Sequence, residues 1–130
     1  MLYHHSGLLG VSGISADSRD LLKSAAPEAR EALDLFAFRI SREIAALANT
    51  LGGLDGIVFT AGIGEHQPEV RAAVCNYLGW LGVAVADRAN QGNAPRVDAG
   101  GKVAVFVLAT DEEQIIAGEA WSVLNEGAYV

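Results

Sequence analysis

The 130-residue sequence predicts an α/β fold in which helices flank a parallel sheet. Two apolar runs rich in β-branched residues, at 55–60 and 102–108, are typical of buried strands. Helical patterns precede, separate and follow these runs. Strands that alternate with helices pair in parallel. At roughly 100–200 residues per domain, the whole chain, 1–130, is expected to form a single domain.

Charge and composition exclude several classes of function. The chain carries 9 basic and 16 acidic residues, a net charge of −7, whereas nucleic-acid and anionic-membrane surfaces are basic. One cysteine, Cys75, cannot form an internal disulfide. No apolar run approaches the ~20 residues of a membrane helix. We therefore expect a cytoplasmic protein that binds neither nucleic acid nor membranes.

The N-terminal half is expected to be largely helical. Three glycines within residues 6–13 indicate a loop or a bulged strand. Ser15 is expected to begin a short helix with Asp17 in its first turn. Apolar residues then recur every three or four positions from 27 to 51, which predicts one long helix that begins at a proline and ends at two glycines.

The C-terminal half is expected to alternate strands and helices. The strand at 55–60 runs into a glycine turn, and Pro68 opens the next helix. Residues 82–86 are expected to form a short strand, and 87–101 a loop because of their composition. Thr110 and Asp111 are expected to cap a last helix.

Gly62, Ile63 and Gly64 form the sharpest local motif, a glycine turn between a strand and a helix. Backbone N–H groups without β-carbons in the way can bind phosphate, and a helix dipole adds to the attraction. A β-carbon at Gly64 is expected to obstruct a phosphate there. The alternative is a tight turn whose glycines only supply positive φ angles.

Two further segments have a functional and a plain interpretation. Thr110 to Glu113 follow a strand end, where ligands of parallel sheets bind, and a carboxylate there could orient Mg²⁺. These acidic residues would equally suit a helix N-terminus. Asp17, Ser18 and Arg19 could hold a ribose or phosphate, or Arg19 could make only surface ion pairs.

These segments together resemble the C-terminal part of the acetate kinase family. The resemblance covers residues 6–21, 32–40, 51–71 and 108–117, and TAGIGE between DGIVF and PEVR is its most specific motif. It implies an actin-like, sugar-kinase-like ATPase fold (ribonuclease H-like), of which this chain is the C-terminal domain. It also implies transfer of the γ-phosphoryl group of ATP to acetate, with Mg²⁺ as cofactor, ADP and acetyl phosphate as products, and a homodimer.

The resemblance also implies roles for individual residues. By resemblance, Asp17, Ser18 and Arg19 contact the adenosine. The loop around the nucleotide and its phosphates comprises Gly62, Ile63, Gly64, Glu65 and His66, and Glu112 matches the magnesium-associated glutamate. The family often has an aromatic residue at the position of Ser18 and an asparagine at that of His66, so these two positions bear on nucleotide selectivity.

The resemblance extends over about the last third of the family's chain. The acetate pocket and the arginines and histidine that stabilise the transferring phosphoryl group lie upstream in the family, so we expect a fragment without kinase activity and no catalytic residue within it. Two alternatives stay open. In one, the parent is a related kinase that acts on propionate or butyrate. In the other, the chain is a non-catalytic module that dimerises or binds only nucleotide. Leu35 and Phe38, off the main helical stripe, fit a subunit contact.

Overall fold

The structure, a computed structural model, describes residues 6–111, 114, 116–118 and 120–122. The named elements of these residues are, in order, α1 (Gly7–Ser12), α2 (Ser18–Lys23), α3 (Pro27–Leu51), β1 (Gly56–Phe59), α4 (Ala61–His66), α5 (Pro68–Tyr77), a 3₁₀ turn (Gly79–Leu81), α6 (Asp87–Gln91) and β2 (Ala104–Val107). The predicted alternation of helices and strands is confirmed.

The predicted loop or bulged strand at residues 6–13 is wrong, because this segment contains helix α1. Two of its three glycines lie at the helix ends, where their positive φ angles of 64° at Gly7 and 63° at Gly13 are used to enter and leave the helix. The Gly13 N–H donates to the Leu9 carbonyl at 2.8 Å. Helix α1 packs on α3, and this tertiary contact compensates for its short length.

Helices α2 and α3 follow the sequence prediction closely. Asp17, and not Ser15, is the N-cap of α2, and its carboxylate accepts the backbone N–H of Arg19 at 2.8 Å. Ser15 supports this turn from outside, because its Oγ accepts the Asp17 N–H at 3.0 Å. Helix α3 begins at Pro27 and ends at Leu51, and the next residue, Gly52, caps it with a left-handed φ of 75°.

Strands β1 and β2 pair in parallel, with Gly56 opposite Ala104 and Phe59 opposite Val107. The strand predicted at 55–60 is confirmed over four residues, but it is not buried on both faces. Ile57 is buried, whereas Val58 on the opposite face is 54% exposed. At its other edge, away from β1, strand β2 forms an antiparallel backbone bridge between Phe106 and Arg96.

The segment from 82 to 101 departs from its prediction. In place of a short strand at 82–86 there is one antiparallel bridge, between Val85 and Asp98. In place of a continuous loop at 87–101 there is helix α6, followed by a segment that pairs with β2. The polar composition suggested a loop, but Asn90 is buried and fixed from outside this segment.

The main core lies between the sheet and helices α3 and α5. Buried side chains from α5 meet those of both strands and of the segment that follows the 3₁₀ turn. Cys75 is 2% exposed in this core, and burial raises the pKa of its thiol to about 11. Cys75 is therefore a core residue with an un-ionised thiol at neutral pH. A smaller cluster of Leu21, Ala29 and Ala32 joins α2 to α3.

Arg71 on α5 is fully buried and uses all five of its N–H groups. Its Nη1 donates to the carbonyls of Gly64 at 2.8 Å and Glu65 at 2.9 Å. Its Nε and Nη2 donate to the side-chain oxygen and the carbonyl of Asn90, both at 2.7 Å, and Nη2 also reaches Asn93. Burial lowers the pKa of Arg71. This guanidinium joins α4, α5 and α6.

The last segment is described only in part. The side chain of Asp111 accepts the backbone N–H of Gln114 at 2.9 Å, as expected of a helix cap. Residues 114, 116–118 and 120–122 are helical. Within the described ranges, no helix combines the length and the apolar content needed to cross a bilayer.

Replacing the buried guanidinium tests its role in the fold. Arg71→Met leaves the carbonyls of Gly64 and Glu65 and the side-chain oxygen of Asn90 without their donor, so we expect a loss of about 3–5 kcal/mol in the free energy of unfolding. Urea denaturation measures this loss. Arg88→Met, the same change at an exposed position of α6, is the control and should stay within about 0.5 kcal/mol of the original chain. Equal midpoints for the two variants would contradict the role assigned to Arg71.

Candidate functional site

A cleft of about 650 Å³ opens between α1, the start of α2, α3 and α4. We call it the interhelix cleft. It is lined by Leu8, Ala16, Asp17, Ser18, Arg19, Phe36, Gly62, Ile63, His66 and Gln67. The motif at 17–19 and the motif at 62–66 lie more than forty positions apart in the sequence. Residues from both line this one cavity.

Asp17 and Arg19 form an ion pair at the mouth of the interhelix cleft. Arg19 Nη2 lies 2.6 Å from Asp17 Oδ2, and Nε lies 3.1 Å from both carboxylate oxygens. The hydrogen bond from the Arg19 side chain lowers the pKa of Asp17 to about 2, so the carboxylate is ionised at neutral pH. The pair carries no net charge, and 73% of the Arg19 side chain is exposed. The ion pair foreseen as the plain interpretation is present, and it also lines the cavity.

Ser18 is buried at the start of α2, next to this pair. Its side chain is small, whereas the aromatic residue that the family often has at this position would fill more of the cleft. The apolar surface of the cleft comes instead from Leu8 on α1, Phe36 on α3 and Ile63 on α4.

Helix α4 supplies the second wall, and it is not the open turn that its glycines indicated. It begins directly after β1, where Ala61 takes a left-handed φ of 58°. Gly62 and Gly64 have no positive φ, so the plain explanation of these glycines is wrong as well. Gly62 has open space on the side of its missing β-carbon.

Gly64 does not line the interhelix cleft. A β-carbon at this position would lie 3.2 Å from the carbonyl carbon of Phe59 and 3.5 Å from its Cα. Gly64 therefore allows α4 to pack closely against the end of β1. This contact accounts for a glycine at position 64 without any ligand.

Glu65 also points away from the cleft and joins the two strand ends. Its Oε1 accepts hydrogen bonds from the backbone N–H of Thr110 at 3.0 Å and from the Thr110 hydroxyl at 3.3 Å. The backbone hydrogen bond from Thr110 is the main reason why the pKa of Glu65 is lowered. The loop after β1 and the loop after β2 are thus held together.

The predicted magnesium residue, Glu112, lies outside the described residues. Its neighbour Asp111 is engaged in capping Gln114. Among the residues that the structure describes, no group of three histidine, cysteine or acidic side chains could hold a metal ion. Mg²⁺ commonly binds one or two protein carboxylates and takes its other ligands from phosphate oxygens and water. A magnesium ion bound in this way does not need three protein side chains.

Four residues of the cleft escaped the sequence analysis: Leu8, Ala16, Phe36 and Gln67. Leu8 lies in the segment predicted as a loop. Phe36 lies on the apolar stripe of α3, and this pattern predicts only a core residue. Gln67 had one available signal, its place between His66 and the proline that opens α5.

The chain is similar in sequence to a family of known enzymes. Residues 1–118 match the acetokinase family, so the chain belongs to this family. It is 49% identical over 130 residues to an acetate kinase of Rhodopseudomonas palustris, covering 98% of this chain and 33% of that protein. An acetate kinase of Rickettsia akari is 46% identical, over 92% of this chain and 31% of that protein. The chain thus spans about a third of the length of the curated relatives it matches.

Solved structures agree with this assignment. A propionate kinase from Francisella tularensis superposes with a TM-score of 0.82 at 29% identity, over 87% of this chain and 30% of that one. A Porphyromonas gingivalis acetate kinase gives 0.78 at 36% identity, over 92% and 32%. The actin-like ATPase fold expected from the resemblance is confirmed, here as a helix-rich α/β unit with a small parallel sheet.

The two glycines of α4 should respond differently to the same substitution. Gly64→Val forces a side chain against the backbone of Phe59, so we expect a loss of about 1–3 kcal/mol in the free energy of unfolding. Gly62→Val meets open space and should change it by less than about 1 kcal/mol. Thermal unfolding followed by circular dichroism compares the two variants. If Gly62→Val were the more harmful change, the packing assigned to Gly64 would be wrong.

Proposed function

We propose that this chain is the nucleotide-binding C-terminal portion of an acetate kinase. In the parent protein, ATP and acetate would be converted to ADP and acetyl phosphate. The observation that carries the proposal is the interhelix cleft, where Asp17, Ser18 and Arg19 face Gly62, Ile63 and His66. Both segments match the family's nucleotide-contacting stretches by resemblance, and the family membership of the chain supports the transfer.

The chemistry of the cleft supports a nucleotide in particular. Leu8, Phe36 and Ile63 offer apolar surface for a purine ring. The ionised carboxylate of Asp17 can accept a hydrogen bond from a ribose hydroxyl. Arg19, whose guanidinium is mostly exposed, can turn from Asp17 to a phosphate oxygen with a charge-assisted hydrogen bond.

The contribution of Gly64 and Glu65 to this site is indirect in our proposal. The Gly64 contact with Phe59 and the Glu65 link to Thr110 hold α4 in place. Gly62, Ile63 and His66 then face the nucleotide from a fixed helix. His66 can donate one hydrogen bond from its ring, where an asparagine would offer a carboxamide.

Magnesium completes the proposal as a cofactor carried by the nucleotide. Mg²⁺ bound with the nucleotide would neutralise phosphate charge, and we propose Glu112 as the residue associated with it, by its resemblance to the family's glutamate. No histidine, cysteine or acidic trio capable of holding a metal was found in the described part of the chain, and a phosphate-bound ion needs none.

Phosphoryl transfer itself is proposed to need the rest of the parent protein. Catalysis of this step rests on positioning and on stabilising the charge of a loose transition state. By resemblance, the groups that do so and the acetate pocket belong to the upstream part of the family's chain. We therefore expect the 130-residue chain to bind nucleotide and to show no acetate kinase activity.

A related carboxylate kinase is the second candidate for the parent. The structural match to a propionate kinase, at a TM-score of 0.82, favours it, because this part of the fold is shared between enzymes named for different carboxylates. The interhelix cleft does not distinguish them. The carboxylate would be chosen outside the described residues.

A calorimetric titration of the chain with Mg·ADP tests the proposal. We expect a dissociation constant in the micromolar to millimolar range, about −8 to −4 kcal/mol. Gly62→Val places a side chain at the cleft wall and should abolish binding while the circular dichroism spectrum is retained. Removal of magnesium with a chelator and the variant Glu112→Gln should each weaken binding.

The outcomes of this titration separate the alternatives. Binding that Gly62→Val abolishes supports an autonomous nucleotide site. Binding that Gly62→Val leaves unchanged would move the nucleotide away from the interhelix cleft. A folded chain that binds no ADP would overturn the proposal and favour a non-catalytic module that only dimerises.

We also propose that the chain forms a homodimer through α3. Leu35 and Phe38 are 43% and 41% exposed there, and Trp80 and Trp121 are more exposed still. Exposed apolar side chains of this size favour an interface. Light scattering coupled to size-exclusion chromatography should give twice the mass of 13.6 kDa, and Phe38→Glu should restore the monomer. A clean monomer at tens of micromolar would contradict the dimer.

A further inference from the structure

Gln67 lies in the wall of the interhelix cleft with one polar atom unpaired. The residue is 6% exposed, and its Oε1 is buried without a hydrogen-bond partner. Its backbone, in contrast, is fully engaged. The N–H donates to the Ile63 carbonyl at 3.1 Å, and the carbonyl accepts from the Arg71 N–H at 3.2 Å. The position is therefore fixed, while the side chain lacks a partner.

A buried polar group without a partner is an exception in folded proteins and needs a reason. Burial of the unpaired carboxamide oxygen lowers the stability of the fold, because the oxygen loses its hydrogen bonds to water. A methionine of similar shape at this position would not have this cost. Among the residues that line the cleft, Leu8, Phe36 and Ile63 are apolar and cannot provide a hydrogen bond. The polar ones that could donate, Ser18, Arg19 and His66, make no hydrogen bond to Oε1. The missing partner would then come from the occupant of the cleft.

The carboxamide limits which part of a nucleotide can be that partner. It presents an acceptor, Oε1, beside a donor, Nε2. Phosphate oxygens are acceptors and would leave Oε1 unpaired. The edge of adenine places an amino group beside a ring nitrogen and can pair with both atoms of the carboxamide at once. Rotation about the terminal bond of glutamine is soft, so Oε1 can turn towards the cleft.

We propose that Gln67 is a specificity-determining residue that accepts a hydrogen bond from the exocyclic amino group of the adenine base. This assignment rests on the proposed function, because it assumes a nucleotide in the interhelix cleft. A ribose hydroxyl is the other donor that a nucleotide offers. The two sources are separated by the choice of ligand in the test.

The test compares Gln67→Met with Gln91→Met, the same change at an exposed position of α6 outside the cleft. Each chain is titrated with Mg·ADP, with the diphosphate of purine riboside, which lacks the amino group, and with 2′-deoxy- and 3′-deoxy-ADP. We expect the original chain and Gln91→Met to prefer ADP over the purine analogue by roughly three- to tenfold, the effect of one neutral hydrogen bond. Gln67→Met should bind both equally.

Thermal unfolding of the same variants supplies a second readout. Because Oε1 has no partner in the protein, Gln67→Met should unfold at the same temperature as the original chain or at a higher one. A purely structural glutamine predicts the opposite, a lower melting temperature.

Three outcomes would overturn the proposal. The first is that Gln67→Met melts lower and keeps the preference for ADP, which would make the residue structural. The second is that it loses discrimination only against the deoxy nucleotides, which would assign Gln67 to the ribose. The third is that the original chain binds none of the ligands, which would remove the proposed function and this inference together, whereas the first two leave nucleotide binding intact.

Discussion

The buried guanidinium of Arg71 is the interaction on which the arrangement of this chain depends. An arginine that is fully buried is costly, and here five hydrogen bonds to neutral oxygens offset that cost. Its acceptors are two carbonyls near the end of α4, both oxygens of Asn90 in α6 and the side-chain oxygen of Asn93 just after α6. One side chain of α5 therefore fixes two short helices that are too short to be stable alone. One of these two helices, α4, forms a wall of the interhelix cleft.

The cleft is built from the ends of elements, which makes it sensitive to how those elements are anchored. The start of α2 is fixed by Asp17 and Ser15, and α4 is fixed by Arg71 and by the link from Glu65 to Thr110. The residues that anchor α4 do not face the cavity. A ligand would meet Gly62, Ile63 and His66 on a helix that is already held, so less order has to be gained on binding.

The sequence predicted those features that follow from local pattern. The stripe of α3, the β-branched runs of both strands and the prolines at 27 and 68 each specify their element directly. Helices α1 and α6 could not be foreseen, because their stability comes from packing on α3 and from the distant guanidinium of Arg71. In the cleft, charged residues and glycines were visible as motifs. Gln67 was not, because an unpaired buried atom is a property of the folded chain.

The contact between Gly64 and Phe59 constrains how this family member can change over evolutionary time. The nearest atoms to a β-carbon at position 64 are the carbonyl carbon of Phe59 at 3.2 Å and its Cα and Cβ, both at 3.5 Å. The closest of them, the carbonyl carbon, belongs to the backbone, which every amino acid shares. A smaller residue at position 59 would not make room, so no compensating mutation in that side chain can accompany the loss of the glycine. A lineage can replace Gly64 only by moving α4 away from the strand, and with it a wall of the cleft.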